Sequence, residues 1–233
     1  VLGNSPGAIS VDVSDATDMI VTIAGIDTAL AAPGGIVNVN VPLVVGDNTV
    51  AISIVDAAGN STSASVDVVL DLDAPLVTLD APLDGACFGS GEETVAVVVT
   101  VDDLTATTIT SDPAGVNGTL PAGGGILTSS LTLSEGWNDI TISAEDATAR
   151  LSSQSAVVLL DTTAPAVSIS SPLDGDAVSG FVDFDALSLD VAPGSGVTAV
   201  DFLVNGAVVG TVTEAPYEFD YDSTLVADGQ HTF

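Results

Sequence analysis

The chain repeats itself, and that duplication limits its possible folds more than any other feature. Asp71-Leu72-Asp73-Ala74-Pro75 and Asp161-Thr162-Thr163-Ala164-Pro165 begin 90 residues apart. The same offset, without gaps, places Gly46 on Gly136, Asn48 on Asn138, Asp56 on Asp146, Pro82 on Pro172 and Gly85 on Gly175. It also places Gly34-Gly35-Ile36 on Gly124-Gly125-Ile126, while Val13-Ser14-Asp15 matches Val101-Asp102-Asp103 at an offset of 88, so one loop differs by two residues. The matched positions are mostly turn formers with specific backbone demands. A shared register over them marks a duplication rather than a shared composition. A unit of this size can bury a core with modest surplus stability. The chain of 233 residues is therefore expected to hold three domains: residues 1–73, lacking an opening strand; residues 74–163; and residues 164–233, which stop inside a strand.

Within each unit the periodicity is that of β-structure. Val50, Ile52 and Ile54 alternate with Ala51 and Ser53, and Ile140, Ile142 and Ala144 repeat the pattern. That is the mark of a half-buried strand. Val95 to Val101 is almost wholly apolar and β-branched, as in a central strand. Turn signals recur at Gly34-Gly35, Gly46-Asp47-Asn48, Ala58-Gly59-Asn60 and Gly123-Gly124-Gly125, and no stretch reads as an amphipathic helix. Short strands with turns about every 8–12 residues imply an all-β sandwich fold.

Charge excludes whole classes of partner. The sequence holds 32 acidic residues against one basic residue, Arg150, for a formal net charge of −31. Nucleic acid is excluded, since phosphate binding needs clustered Lys and Arg, and anionic membrane surfaces are disfavoured. Self-repulsion on this scale opposes compaction unless cations screen or bind the acids. The expected medium is salty, rich in divalent ions, or both. Hydrophobic residues make up 46% of the chain and aromatics only 4%, so the cores are aliphatic. No run approaches the roughly 18–20 apolar residues of a spanning helix, so no membrane insertion is expected in this segment, and no signal peptide is legible in it.

Pro42-Leu43-Val44-Val45-Gly46-Asp47-Asn48, Val55-Asp56-Ala57-Ala58-Gly59-Asn60 and Asp71 to Pro75 in the first repeat, with Leu131 to Asn138, Asp146 and Asp161 to Pro165 in the second, resemble the tandem immunoglobulin-like domains of bacterial cell-surface proteins. The second repeat departs from the pattern at Ala147 to Arg150, where Gly-Asn is absent. The stretch after Pro165 resembles a related bacterial immunoglobulin-like type. The residues carrying this likeness are Ser171-Pro172-Leu173-Asp174-Gly175, Val200 to Gly206, Ala215-Pro216-Tyr217 and Asp228-Gly229-Gln230-His231. The resemblance implies immunoglobulin-like β-sandwich domains in a linear array. It says little of biochemical role, because the fold hosts many functions.

In such a topology the linker before a domain reaches the same pole as that domain's B–C and F–G loops. For the second domain this would bring together Asp71 and Asp73 from the linker, Asp102 and Asp103 from one loop, and Asp146 from the other. Calcium takes six to eight oxygen ligands, and a divalent ion would remove the repulsion among carboxylates so close. The following joint would draw on Asp161 and Asp190. Asp15 and Asp56 are the equivalents in the first repeat. Against this stands the plain reading of these acids as solvated turn residues.

An enzyme is not expected. The only histidine, His231, falls at a structural position of the resembled family, and no Gly-x-Ser-x-Gly is present. Cys87 aligns with Ala177 and is expected to be a buried, inert thiol. Trp137 is expected to cover a core edge. Asn60 and Asn117 begin glycosylation sequons. The function these features imply is structural: a stalk, surface-layer or filament subunit, or adhesin extender at the cell surface, made rigid by calcium at its joints. Its partners would be its own copies or neighbouring domains, and cell-surface glycans. The alternatives are a carbohydrate-binding or spacer module of a secreted polysaccharide-active enzyme, which calls for a row of exposed aromatics, and acidity as adaptation to high salt.

Overall fold

The computed structural model describes residues 1–233, and it is all-β apart from one short 3-10 turn at Ser223–Leu225. The first repeat contributes β1 (Gly7–Ser14), β2 (Met19–Ile23), β3 (Ile26–Leu30), β4 (Gly34–Val41), β5 (Gly46–Asp56) and β6 (Ser61–Leu70). The second contributes β7 (Leu76–Ala81), β8 (Cys87–Phe88), β9 (Thr94–Asp102), β10 (Thr107–Asp112), β11 (Asn117–Leu120), β12 (Gly125–Thr132), β13 (Gly136–Glu145) and β14 (Leu151–Leu160). After Pro165 come β15 (Ala166–Ser171), β16 (Phe181–Leu189), β17 (Val200–Val204), β18 (Ala207–Val212) and β19 (Tyr217–Asp222).

The sheet orders display the duplication. In the first repeat β1 pairs with β4, and a second sheet runs β3-β2-β5-β6. In the second repeat the corresponding sheets run β12-β9-β7 and β11-β10-β13-β14-β8. β7 and β8 are the additions at the edges. The role of β8, parallel to the end of β14, is filled in the first repeat by an isolated parallel bridge from Leu2 to Leu70. The last stretch has the sheets β15-β16-β19 and β17-β18.

Compactness divides the residues into two units. One holds Val1–Pro82, Ala96–Ser130 and Ile140–Ser155; the other holds Leu83–Val95, Leu131–Asp139 and Ala156–Phe233. In the first unit Val13, Met19, Val21, Ile23, Val37, Val41 and Val50 form a buried aliphatic cluster. Each such side chain contributes about 1.5–3 kcal/mol by leaving water. In the second unit the buried cluster is partly aromatic. Phe184 stacks on Phe202 and Tyr221 at centroid separations of 6.2 and 5.5 Å, and Phe233 packs at 4.8 Å.

Turn chemistry explains why matched glycines and asparagines anchor the repeat. A Cβ on Gly34 would lie 2.1 Å from the Val13 carbonyl oxygen, and one on Gly124 would lie 2.0 Å from that of Val101. Both glycines have positive φ, 114° and 70°. Neither position admits a side chain. Asn48 ties its turn by accepting from the Val44 N–H at 2.9 Å and donating to the Val44 and Gly46 carbonyls at 2.7 and 2.8 Å. Asn138 repeats this with Ser134 and Gly136, each bond at 2.8 Å.

Two expectations are overturned. Cys87 is exposed rather than buried, because it sits on the two-residue edge strand β8. Trp137 is 63% exposed, largely open to solvent, because the alternation of β13 buries its neighbour Gly136 and turns Trp137 outward.

Candidate metal centre

Three buried carboxylates meet at one place in the first unit. Asp71 follows β6, Asp103 follows β9 and Asp146 follows β13. Their exposures are 1%, 8% and 6%, and a carboxylate oxygen from each lies within 4.8 Å of the other two. Each arrives by a different backbone device. Asp71 is held by its N–H donating to the Leu2 carbonyl at 2.9 Å. Asp103 continues the strand pleat of β9, in which Val101 and Asp103 turn inward and Asp102 outward. Asp146 opens the β13–β14 turn, in which its N–H donates to Arg150 O at 3.0 Å and Ala149 N–H donates to Asp146 O at 3.2 Å.

Threonine hydroxyls and turn N–H groups serve the cluster. The Thr105 hydroxyl lies 3.0 Å from Asp71 Oδ2 and 2.8 Å from Asp103 Oδ2. It has one hydrogen to give, so it serves one carboxylate at a time. Asp103 Oδ2 also accepts from the Thr105 N–H at 2.9 Å, and Asp71 Oδ1 from the Asp73 N–H at 3.2 Å. Asp146 Oδ1 accepts from the N–H groups of Thr148 and Arg150 at 2.7 and 2.9 Å, and the Thr148 hydroxyl reaches both carboxylate oxygens. Burial pushes the Asp146 carboxyl up, but the Arg150 N–H, the Thr148 donors and the Arg150 charge together hold it below the usual carboxylate range. Thr107 is 1% exposed, and its buried hydroxyl has no partner. The register pairs Thr108 with Glu145, which sets Thr107 opposite Asp146, one pleat along from Thr105. The guanidinium of Arg150 does not neutralise the cluster by pairing with it. Its Nη1 donates to the main-chain oxygen of Asp71 at 2.8 Å and to the Thr148 hydroxyl, and its Nη2 donates to Gly3 O at 2.8 Å.

This donor set suits a hard cation: all oxygen, anionic, with hydroxyls beside it. Two oxygens bound to one calcium at about 2.4 Å lie at most about 4.8 Å apart, which the cluster satisfies. Of the other acids expected here, Asp73 and Asp102 are exposed and stand outside the cluster. In the second unit Asp161 is 9% exposed. Its Oδ2 accepts from the Ser195 N–H at 2.6 Å and its Oδ1 from the Thr163 N–H at 3.1 Å. The donors of Ser195, then the Thr163 N–H, hold its carboxyl below the usual range. Asp190 Oδ2 accepts from the Gly196 N–H at 2.6 Å, while its buried Oδ1 has no partner. Asn60 is exposed, with its amide donating to Asp56 Oδ2 at 2.7 Å, and Asn117 is exposed at the start of β11.

Residues 165–233 match the bacterial Ig domain family. The resemblance read from Ser171 to Gly175 and from Asp228 to His231 is thereby borne out. Inside this bacterial Ig stretch His231 has a structural setting. Its Nε2 donates to Ala227 O at 2.8 Å, and its Nδ1 accepts from Asn205 Nδ2 at 2.8 Å. No curated protein matches the chain. Among solved structures, the fibronectin(III)-like modules of Clostridium thermocellum CbhA are similar at 23% identity and a TM-score of 0.38, covering 67% of this chain and 82% of that one. A tetra-tandem repeat from the extending region of a large adhesion protein is similar at 24% identity and a TM-score of 0.36, covering 94% of this chain and 62% of that one. A 1.5-MDa bacterial ice-binding adhesin is similar at 14% identity and a TM-score of 0.41, covering 92% and 79%. All three TM-scores lie below 0.5, so what this chain does is read from its own residues. No helix is long and apolar enough to cross a membrane.

Proposed function

We propose that this chain is a structural segment of an extracellular, cell-surface protein. It is built from immunoglobulin-like sandwiches at residues 1–73, 74–163 and 164–233, and calcium bound by Asp71, Asp103 and Asp146 fixes the join between the first two. The observation that carries this reading is the burial of three carboxylates, from three separate segments, within reach of one ion. Burying charges without compensation costs several kcal/mol each. An ion would supply the missing charge and use the Asp71 linker as a ligand, removing hinge freedom. Asp161 and Asp190 are the corresponding candidates at the following join.

The bacterial Ig match and the acidity support a surface setting bathed in divalent ions, where strands such as the exposed β15 could meet neighbouring copies. The carbohydrate-binding alternative calls for a row of exposed aromatics. Trp137 and Phe181, at 63% and 78% exposure, stand singly on β13 and β16.

The test is the unfolding midpoint of the whole chain by calorimetry at 150 mM NaCl, in chelator, in 2 mM calcium and in 2 mM magnesium. Calcium at about a hundred times its Kd adds about 2.7 kcal/mol, a rise of several degrees that should vanish in Asp71→Asn. Equal effects of calcium and magnesium, with response only to molar salt, would sink the cation site and leave an acid-coated spacer.

A further inference from the structure

The only basic side chain in the sequence stands at the carboxylate cluster. By the repeat offset, position 150 corresponds to Asn60. Asn60 acts locally: its N–H and its side-chain amide both donate to the Asp56 carboxylate, at 2.7 Å each. Replacing Asn by Arg leaves the turn intact. Asp56 N–H donates to Asn60 O at 2.9 Å, and Asp146 N–H donates to Arg150 O at 3.0 Å. The arginine adds reach. Its two terminal nitrogens span from the Asp71 carbonyl to the Gly3 carbonyl, each at 2.8 Å. Those segments are themselves joined, Leu2 N–H to Val69 O at 2.8 Å and Asp71 N–H to Leu2 O at 2.9 Å. A planar fork suits two carbonyls held this way, and a lysine ammonium does not reproduce it. The guanidinium thus carries its charge to the main chain of a residue whose carboxylate belongs to the cluster, while forming its hydrogen bonds with neutral oxygens.

We infer that Arg150 is a built-in counter-cation: a positioning residue that keeps the ion-free carboxylate cluster folded and, by its charge, weakens divalent-ion binding there. This rests on the cation reading above. It makes the join tolerant of low calcium, at the expense of affinity. A purely structural strut would have the opposite sign, since its loss would loosen the site and weaken binding.

The experiment is calcium titration by calorimetry on the whole chain, stripped with chelator, for the parent, Arg150→Gln and Arg150→Lys. Circular dichroism in chelator establishes that each is folded. Arg150→Gln should bind calcium about tenfold more tightly, since a unit charge a few ångströms from a divalent ion is removed, and should unfold at a lower temperature in chelator. Arg150→Lys keeps the charge, so its affinity should stay within about threefold of the parent. The gain should vanish in Asp71→Asn/Arg150→Gln. If the parent binds calcium and Arg150→Gln binds no more tightly, the counter-cation role is overturned and the cation site stands. If neither binds calcium at this cluster, the site itself falls, and the role of Arg150 with it.

Discussion

The Asp56 turn and the Asp146 turn share one backbone design in two settings. Both aspartates accept from N–H groups two and four residues on. Asp56 is half-buried, with partners confined to its own turn, and its carboxyl is held below the usual range chiefly by the Asn60 side chain and N–H. Asp146 is 6% exposed and shares its pocket with Asp71 and Asp103. Asp15, the counterpart of Asp103, is likewise half-buried, and its carboxylate accepts from the N–H and hydroxyl of nearby Thr17. The turn alone therefore does not make a charged cluster. A third segment laid across it does, and Asp71 is that segment.

The strongest tests of this equivalence lie at the glycines beneath the turns. Gly34→Ala and Gly124→Ala should each destabilise by about 3 kcal/mol or more, since the new Cβ would meet a backbone carbonyl at positive φ. Calorimetric losses differing by more than about 1 kcal/mol would break the parallel. Next, Asp146→Ala in 2 mM calcium, where the ion would offset the repulsion among the three acids, should cost about 2–3 kcal/mol or more, because it leaves the Thr148 and Arg150 N–H groups unpaired under cover. Asp56→Ala should cost clearly less, because water reaches its donors, and equal losses would show that the cover contributes nothing. Ala149 holds a left-handed φ of 63° where the first repeat has Gly59 at 87°. Ala149→Gly should therefore stabilise by about 1 kcal/mol, and Gly59→Ala should cost about as much.

The smallest effect is one of pH. Asp56 and Asp146 have lowered folded pKa values, so the stability they contribute is present at neutral pH and lost as pH falls through those values. Asp183 faces Asp220 across β16 and β19, and the Asp220 carboxyl, by hydrogen bond and charge, raises it. Its contribution is fully present below the unfolded value and lost as pH rises through the folded one. Asp183→Asn should therefore raise the melting point at pH 7 and leave it unchanged at pH 3. The same gain at both would rule out charge as the cause.

The strand content and the repeat were legible because turn residues recur in register, and the gathering of Asp71, Asp103 and Asp146 follows from that register. The pleat could have removed Asp102 beforehand, since Val101 and Asp103 share the buried parity. Nothing in composition could remove Asp73, whose N–H turns back on Asp71 Oδ1 while its side chain faces water. Thr105, Thr107 and Arg150 carried no motif. Thr105 and Arg150 take part through contacts spanning 34 residues from Asp71 to Thr105 and 79 from Asp71 to Arg150, which no local pattern encodes. Cys87 was misjudged because its alignment with Ala177 takes no account of strand position.

The uneven placement of aromatic rings has a practical consequence. Residues 1–73 contain no Phe, Tyr or Trp; Trp137 is the sole tryptophan; and both tyrosines, Tyr217 and Tyr221, lie after Pro165. The three parts of the chain therefore carry different optical labels without any engineering. Indole fluorescence reports on the second repeat, tyrosine absorbance on the bacterial Ig stretch, and the first repeat is dark. Unfolding followed at several wavelengths can thus be assigned region by region in the native sequence.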